Sequence, residues 1–84
     1  MSHEEQMLIS AVRYALGRQS YIVGTTAEFV ATVRTKLSKN CIAIIIRDIE
    51  EEIERCHRLG VTCGMDFDER TWVNLLKLLR KDVE

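Results

Sequence analysis

The stretch RYALGRQSYIVGTTAEFV (residues 13–30) places two glycines among arginine and hydroxyl side chains, a composition that could bind phosphate. A phosphate-binding loop needs glycines spaced as in GxxxxGK[ST], or as in GxGxxG after a strand, so that backbone N–H groups converge on the anion. Gly17 and Gly24 do not have either spacing, no Lys follows them, and the residues before them have a helical pattern. We therefore predict a corner between two helices.

A simpler anion site remains at this corner. Four side chains that could hold a phosphate or a carboxylate cluster there, and they are the ligand-binding candidates: Arg13, Arg18, Ser20 and Tyr21. The alternative, which we favour, is that Arg13 is solvated and Arg18 only lies beside a helix end.

The acidic run RDIEEEIER (residues 47–55) raises a second kind of chemistry. All-α nucleotide pyrophosphohydrolases hold Mg²⁺ with ExxE and a later ExxD, because carboxylates are the hard ligands that this ion prefers. Glu51 and Glu54 form the first motif, but Asp66 and Glu69 invert the second. A magnesium-dependent hydrolase is thus the least favoured alternative, and we predict no catalytic residues, metal or cofactor.

The same run offers an acidic helix face that could compete with nucleic acid for a basic groove on another protein. The partner-binding candidates on it are Asp48, Glu51, Glu52 and Glu54. The alternative is a solvated face on which i,i+4 ion pairs with neighbouring arginines add a few tenths of a kcal/mol each.

The cysteines do not form a recognisable metal or nucleophile motif. Structural zinc sites usually show paired ligands such as C-x₂-C, whereas Cys41, Cys56 and Cys63 are unpaired by spacing. His57 adjoins Cys56, and neighbouring residues on a helix point about 100° apart. Buried free thiols in a reducing compartment are the expected state.

Composition narrows the class of protein further. The chain is 46% hydrophobic and 30% charged, with 12 Lys+Arg against 13 Asp+Glu, so the strongly basic balance typical of nucleic-acid-binding proteins is absent. No apolar run approaches the ~18 residues of a membrane span, and the N-terminal MSHEEQ is acidic where a signal peptide is basic. We therefore predict a cytoplasmic protein with neither a membrane segment nor direct nucleic-acid binding. So small a chain has a modest core, which leaves homo-oligomerisation open.

Hydrophobic periodicity predicts four helices with short connections. Helix one, at about 3–16, begins at a Ser2–Glu5 capping box, and helix three, at 39–59, begins after the N-cap Ser38. Helix two is predicted at about 20–36 with Gly24 inside it; the alternative is a strand at 21–23 and a shorter helix capped at Thr25. Helix four, at 69–81, follows an Asp68 N-cap. The expected fold is a single all-α domain, residues 1–84, forming a compact array or bundle.

The helices are expected to bury one stripe each. The stripes are Leu8, Ala11, Val12, Ala15 and Leu16; Ile22, Phe29, Val30, Val33 and Leu37; Ile42, Ile45, Ile46, Ile49, Ile53, Cys56 and Leu59; and Trp72, Leu75, Leu76 and Leu79.

Three segments carry a family resemblance: RYALGRQSYIV (residues 13–23), IIIRDIEEEIE (residues 44–54) and DERTWVNLL (residues 68–76). They resemble a family of small uncharacterised proteins of phages and prophages of Gram-positive bacteria. The resemblance covers nearly the whole chain and carries no catalytic residues. It implies a setting, the host cytoplasm, in which many small non-enzymatic phage proteins bind and disable host machinery.

The combined expectation is a non-enzymatic phage accessory protein that binds and inhibits a host macromolecule, of the kind that disables a defence effector as anti-CRISPR proteins do. An oligomeric module that binds small ligands or nucleotides, as sponges for signalling nucleotides do, is the alternative from another class.

Overall fold

The first helix begins at the predicted capping box. In the computed structural model, which describes residues 2–17, 23–59 and 69–84, α1 spans His3–Gly17. The Glu5 N–H donates to Ser2 Oγ at 3.2 Å, and the Ser2 N–H donates to Glu5 Oε1 at 3.3 Å. Both bonds satisfy backbone donors that the start of a helix leaves open, which confirms the box.

The α-helical part of the second helix ends earlier than predicted. The α-helix α2 spans Val23–Val33, and a 3₁₀ turn continues it over Arg34–Lys36. The Leu37 N–H then donates to the Arg34 carbonyl at 3.3 Å, and Leu37 is extended. β-Branched residues crowd this end of the helix and have low helix propensity, which suits an early end of the α-helix.

The favoured prediction, a helix with Gly24 inside it, is confirmed over the described residues, and the alternative is wrong there. Val23 is helical and Gly24 lies inside α2, so Thr25 does not begin the helix. The predicted start at Ser20 lies in residues 18–22, outside the described residues.

The third and fourth helices agree closely with the sequence. Helix α3 spans Lys39–Leu59, as predicted, and Ser38 Oγ accepts the Cys41 N–H at 3.2 Å as its cap. Helix α4 spans Glu69–Val83, two residues beyond the predicted end. The predicted Asp68 cap lies outside the described residues. Within the part that the structure describes there is no strand, so the all-α fold is confirmed.

The helices pack as a ring in the order α1, α2, α4, α3, with each helix contacting the next and α3 closing back on α1. The radius of gyration is 12.1 Å, about the 12 Å expected of a compact domain of this length. The α1–α2 and α3–α4 edges of the ring are therefore opposite each other.

The Glu5 carboxylate links the N-termini of α1 and α3 by hydrogen bonds. Glu5 Oε2 accepts the Ser38 N–H at 3.0 Å and the Ser38 hydroxyl at 2.8 Å, while Oε1 serves the capping box. Hydrogen bonds from Ser38 and Ser2 lower the pKa of Glu5 from 4.5 to about 2. One side chain thus stabilises two helix N-termini.

Residues from all four helices form the core, and its largest fully buried side chains include Trp72, Ile45, Ile49 and Leu79. The α4 stripe is confirmed in full. On α1 the prediction is off by a small rotation, because Ile9 is buried and Ala11 is exposed. The largest errors are two predicted core residues, Phe29 and Leu59, which are 56% and 59% exposed.

Among the described helices, none has the length and apolar character of a membrane span.

Candidate functional site

The predicted anion site is described at one residue only. Arg18, Ser20 and Tyr21 lie in residues 18–22, outside the described part of the chain. Arg13, on α1, donates from Nε to Asp48 Oδ2 at 2.7 Å. The hydrogen bond with Asp48, and then the charge of that carboxylate, raise the pKa of Arg13. An anionic ligand would have to compete with Asp48 for this guanidinium.

The structure divides the predicted partner face into two pairs. The side chains of Asp48 and Glu52 are only 12% and 17% exposed, and they pair with Arg13 and Arg55. Glu51 and Glu54 are exposed on the outer side of α3, without an ion pair to any described residue. Either of these two can therefore meet another molecule without breaking an ion pair to a described residue, and the charge of Glu51 also acts on Arg13.

Glu54 also borders an open groove of about 440 Å³ between α3 and α4. The floor is apolar and the walls are charged: the lining residues are Ile53, Val73 and Leu76, with Glu50, Glu54, His57, Lys77 and Arg80. Arg80 donates to Glu50 Oε2 at 2.7 Å across the groove. Next to it, His57 Nε2 contacts Glu69 Oε1. We call this the α3–α4 groove.

The sequence prediction missed Glu50 and His57 as neighbours of Glu54. The signal was present, because residues 50, 54 and 57 follow one another by steps of four and three, the spacing of a single helix face. It could not be used without knowing that α4 packs beside that face.

A second groove, of about 470 Å³, lies on the opposite edge between α1 and α2. Its lining is mostly uncharged: Met7, Leu8, Ala11, Thr25, Thr26 and Phe29, with Glu4 at one end. Met7 is 60% exposed and Phe29 is 56% exposed. We call this the α1–α2 groove. Sequence reasoning missed it because Phe29 fits the periodic stripe of α2.

Two of the three cysteines are described, and both are buried free thiols, as predicted. Cys41 and Cys56 are buried and free, and Cys63 lies outside the described residues. Burial, followed by the nearby charge of Glu5, raises the pKa of Cys41 to about 11, so this thiol is a poor nucleophile. Across residues 2–17, 23–59 and 69–84, no three His, Cys, Asp or Glu side chains are grouped to hold a metal ion. Asp66 of the inverted metal motif is outside these ranges.

Comparison with known proteins adds no family. No protein-family model matches the chain, and searches of the curated proteins and of the solved structures return no match.

Proposed function

We propose that this protein is a non-enzymatic accessory protein of a phage or other mobile element that binds and inhibits a host protein, of the kind that acts in defence. The observation that carries the proposal is the outer surface of α3, where Glu51 and Glu54 are exposed without an ion pair to any described residue and where Glu54 borders the α3–α4 groove. The phage setting rests on the sequence resemblance alone.

The groove and the two glutamates supply different parts of an interaction. Burying an apolar partner side chain over Ile53, Val73 and Leu76 contributes affinity in proportion to the area removed from water. Glu51 and Glu54 favour a partner with basic groups beside that side chain, and charge complementarity mainly adds specificity and association rate. The expected partner surface is therefore a basic protein segment with an apolar anchor.

The ligand-binding alternative has less support. Its one described residue, Arg13, is held by Asp48 at 2.7 Å, and a phosphate would have to displace that carboxylate. No other feature of the described residues favours a nucleotide.

The proposal can be tested with the tagged protein as bait in a lysate of a Gram-positive bacterium. Captured proteins are identified by mass spectrometry, purified and titrated against the wild type and two charge-reversed variants. We expect Glu54→Lys to weaken binding about tenfold or more, and added salt to weaken the wild-type complex.

Glu84→Lys is the matched control, because it reverses an equally exposed carboxylate beyond the end of α4. It should change affinity less than about twofold, as expected of a charge outside the contact. Equal affinity of wild type and Glu54→Lys for the captured protein would show that α3 is not the contact surface.

A further inference from the structure

The exposed surface of α2 has the composition of an interface. Glu28 is the single charged residue among the 11 of this helix, whereas the outer sides of α3 and α4 are rich in charge. Thr25, Phe29 and Thr32 follow one another by steps of four and three, so they share one exposed face. Charge depletion with an aromatic residue at the centre is what distinguishes the core of an interface from ordinary surface.

Helix α1 presents a matching face beside it. Met7, Ala11 and Tyr14 have the same spacing of four and three, and all are exposed. Met7 and Ala11 line the α1–α2 groove opposite Phe29. The two faces together form one surface, the α1–α2 face, on which large side chains stand beside a groove.

One polar side chain of this face can be buried without losing its hydrogen bond. The Thr32 hydroxyl donates to the Glu28 carbonyl at 2.9 Å within α2, so a partner covering Thr32 leaves no donor unsatisfied. The carboxylates of Glu4 and Glu28 are exposed: Glu4 lies at one end of the α1–α2 groove, and Glu28 flanks Thr25 and Thr32 on α2.

The available apolar area suits an interface of ordinary size. Met7, Tyr14 and Phe29 are 60%, 55% and 56% exposed, which gives roughly 110 Å² each at about 200 Å² per large side chain. Together they offer about 330 Å². A standard interface covers about 800 Å² of each partner, and in homodimers about 65% of this area is apolar. Three side chains thus supply most of the apolar part.

We propose that the α1–α2 face binds a second copy of this chain in a symmetric dimer. A two-fold contact sets a surface against itself, so a net charge at its centre would repel its own copy; Met7, Ala11 and Phe29, which line the groove, carry none. It also carries a projecting side chain, Phe29, and a groove that can receive one, as self-complementarity requires. A strongly charged partner would find no opposite charge at the centre.

The dimer leaves the other surface accessible. The α3–α4 edge is opposite the α1–α2 edge in the ring, so both copies of the α3–α4 groove face outward. Self-association therefore does not depend on the host partner proposed above, and it is tested on the purified chain alone.

The test is sedimentation equilibrium and size-exclusion light scattering from about 1 µM to about 1 mM. The wild type should reach twice its chain mass of 9.7 kDa. Phe29→Glu and Met7→Glu should each raise the dimer dissociation constant at least about thirtyfold, because each sets like charges in an apolar contact. Far-UV circular dichroism should show that both variants stay helical, since both side chains are already exposed.

Leu59→Glu is the matched control: it makes the same kind of change at a residue that is 59% exposed, at the end of α3. It should dimerise like the wild type. A wild-type mass of 9.7 kDa throughout would overturn the proposal and assign the face to another partner. A dimer that persists in Phe29→Glu, or that Leu59→Glu dissociates equally, would also overturn it.

Discussion

The two grooves lie on opposite edges of one helical ring and have similar volumes, about 470 and 440 Å³, yet their chemistry differs. The α1–α2 groove is flanked by the exposed side chains of Met7 and Phe29. Glu4, at one end, is the one charged residue among the described residues of its lining. The α3–α4 groove has its apolar floor between charged walls that already pair, as Arg80 does with Glu50. Acidic and basic side chains both line the α3–α4 groove, so a second copy that is not aligned with it would bring like charges together. The uncharged centre of the α1–α2 face does not oppose a second copy in this way.

The same contrast extends into the core. The fully buried side chains of α3 and α4 include large ones such as Trp72 and Leu79, whereas those of α1 and α2 are smaller, such as Val12 and Val30. Leu8 on α1 is 7% exposed and borders an open groove. The structure therefore joins a pair with larger fully buried side chains, α3–α4, to one with more exposed apolar surface, α1–α2. This difference can be measured.

The largest expected effect on stability comes from the core side chains of α3 and α4. Leu79→Ala should lower the free energy of unfolding by about 3–5 kcal/mol, because the cavity is enclosed on all sides. Leu8→Ala makes the same change at the groove, where solvent and neighbours can fill the space, and should cost about 2–3 kcal/mol. Urea unfolding followed by circular dichroism measures both. Equal losses would remove the distinction between the two pairs.

The next effect concerns a contact that joins the two pairs. Arg34, in the 3₁₀ turn after α2, donates to Asp82 Oδ1 on α4 at 2.5 Å, with both side chains about a quarter exposed. Arg34→Ala should cost about 1–2 kcal/mol, because it leaves a partly buried carboxylate without its cation. Arg80→Ala removes the exposed pair with Glu50 and should cost less than about 0.5 kcal/mol. A larger loss for Arg80 in the same unfolding experiment would contradict this ranking.

The smallest expected effect is the pH-dependent contribution of Glu5 to stability, at the contact between α1 and α3. The pKa of Glu5 is about 2 in the folded protein against an ordinary 4.5, so folding favours the ionised form. Its contribution is complete above about pH 5 and is lost as pH falls through 4.5 towards 2. The melting temperature of Glu5→Gln should lie below that of the wild type at pH 6, and the two should converge near pH 2. A constant difference across this range would contradict the role of the Glu5 charge.

The sequence predicted local features well because they depend on neighbours along the chain. Ser2, Glu5 and Ser38 were recognised as caps by their spacing, and the bounds of α3 followed from its periodicity. The errors in the predicted core concern which side of each helix is buried. Phe29 fits the periodic stripe of α2, but the position of α1 leaves it exposed. No pattern within a helix contains that information.

The candidate sites show the same limit. Glu51 and Glu54 were selected as acidic residues, and their exposure agrees with that selection. The pairing of Arg13 with Asp48, 35 residues away, connects two sets of candidates that the sequence kept apart. Contacts over such distances depend on how the helices pack in three dimensions.

The double role of Glu5 has a consequence for the lifetime of the folded state. Its bonds to Ser38 connect residues 33 apart, so they require α1 and α3 to be docked, and we expect them to form late in folding. Interactions that are absent from the transition state slow unfolding and leave the folding rate nearly unchanged. The bonds between Glu5 and Ser38 therefore lengthen the lifetime of the folded state as well as stabilising it.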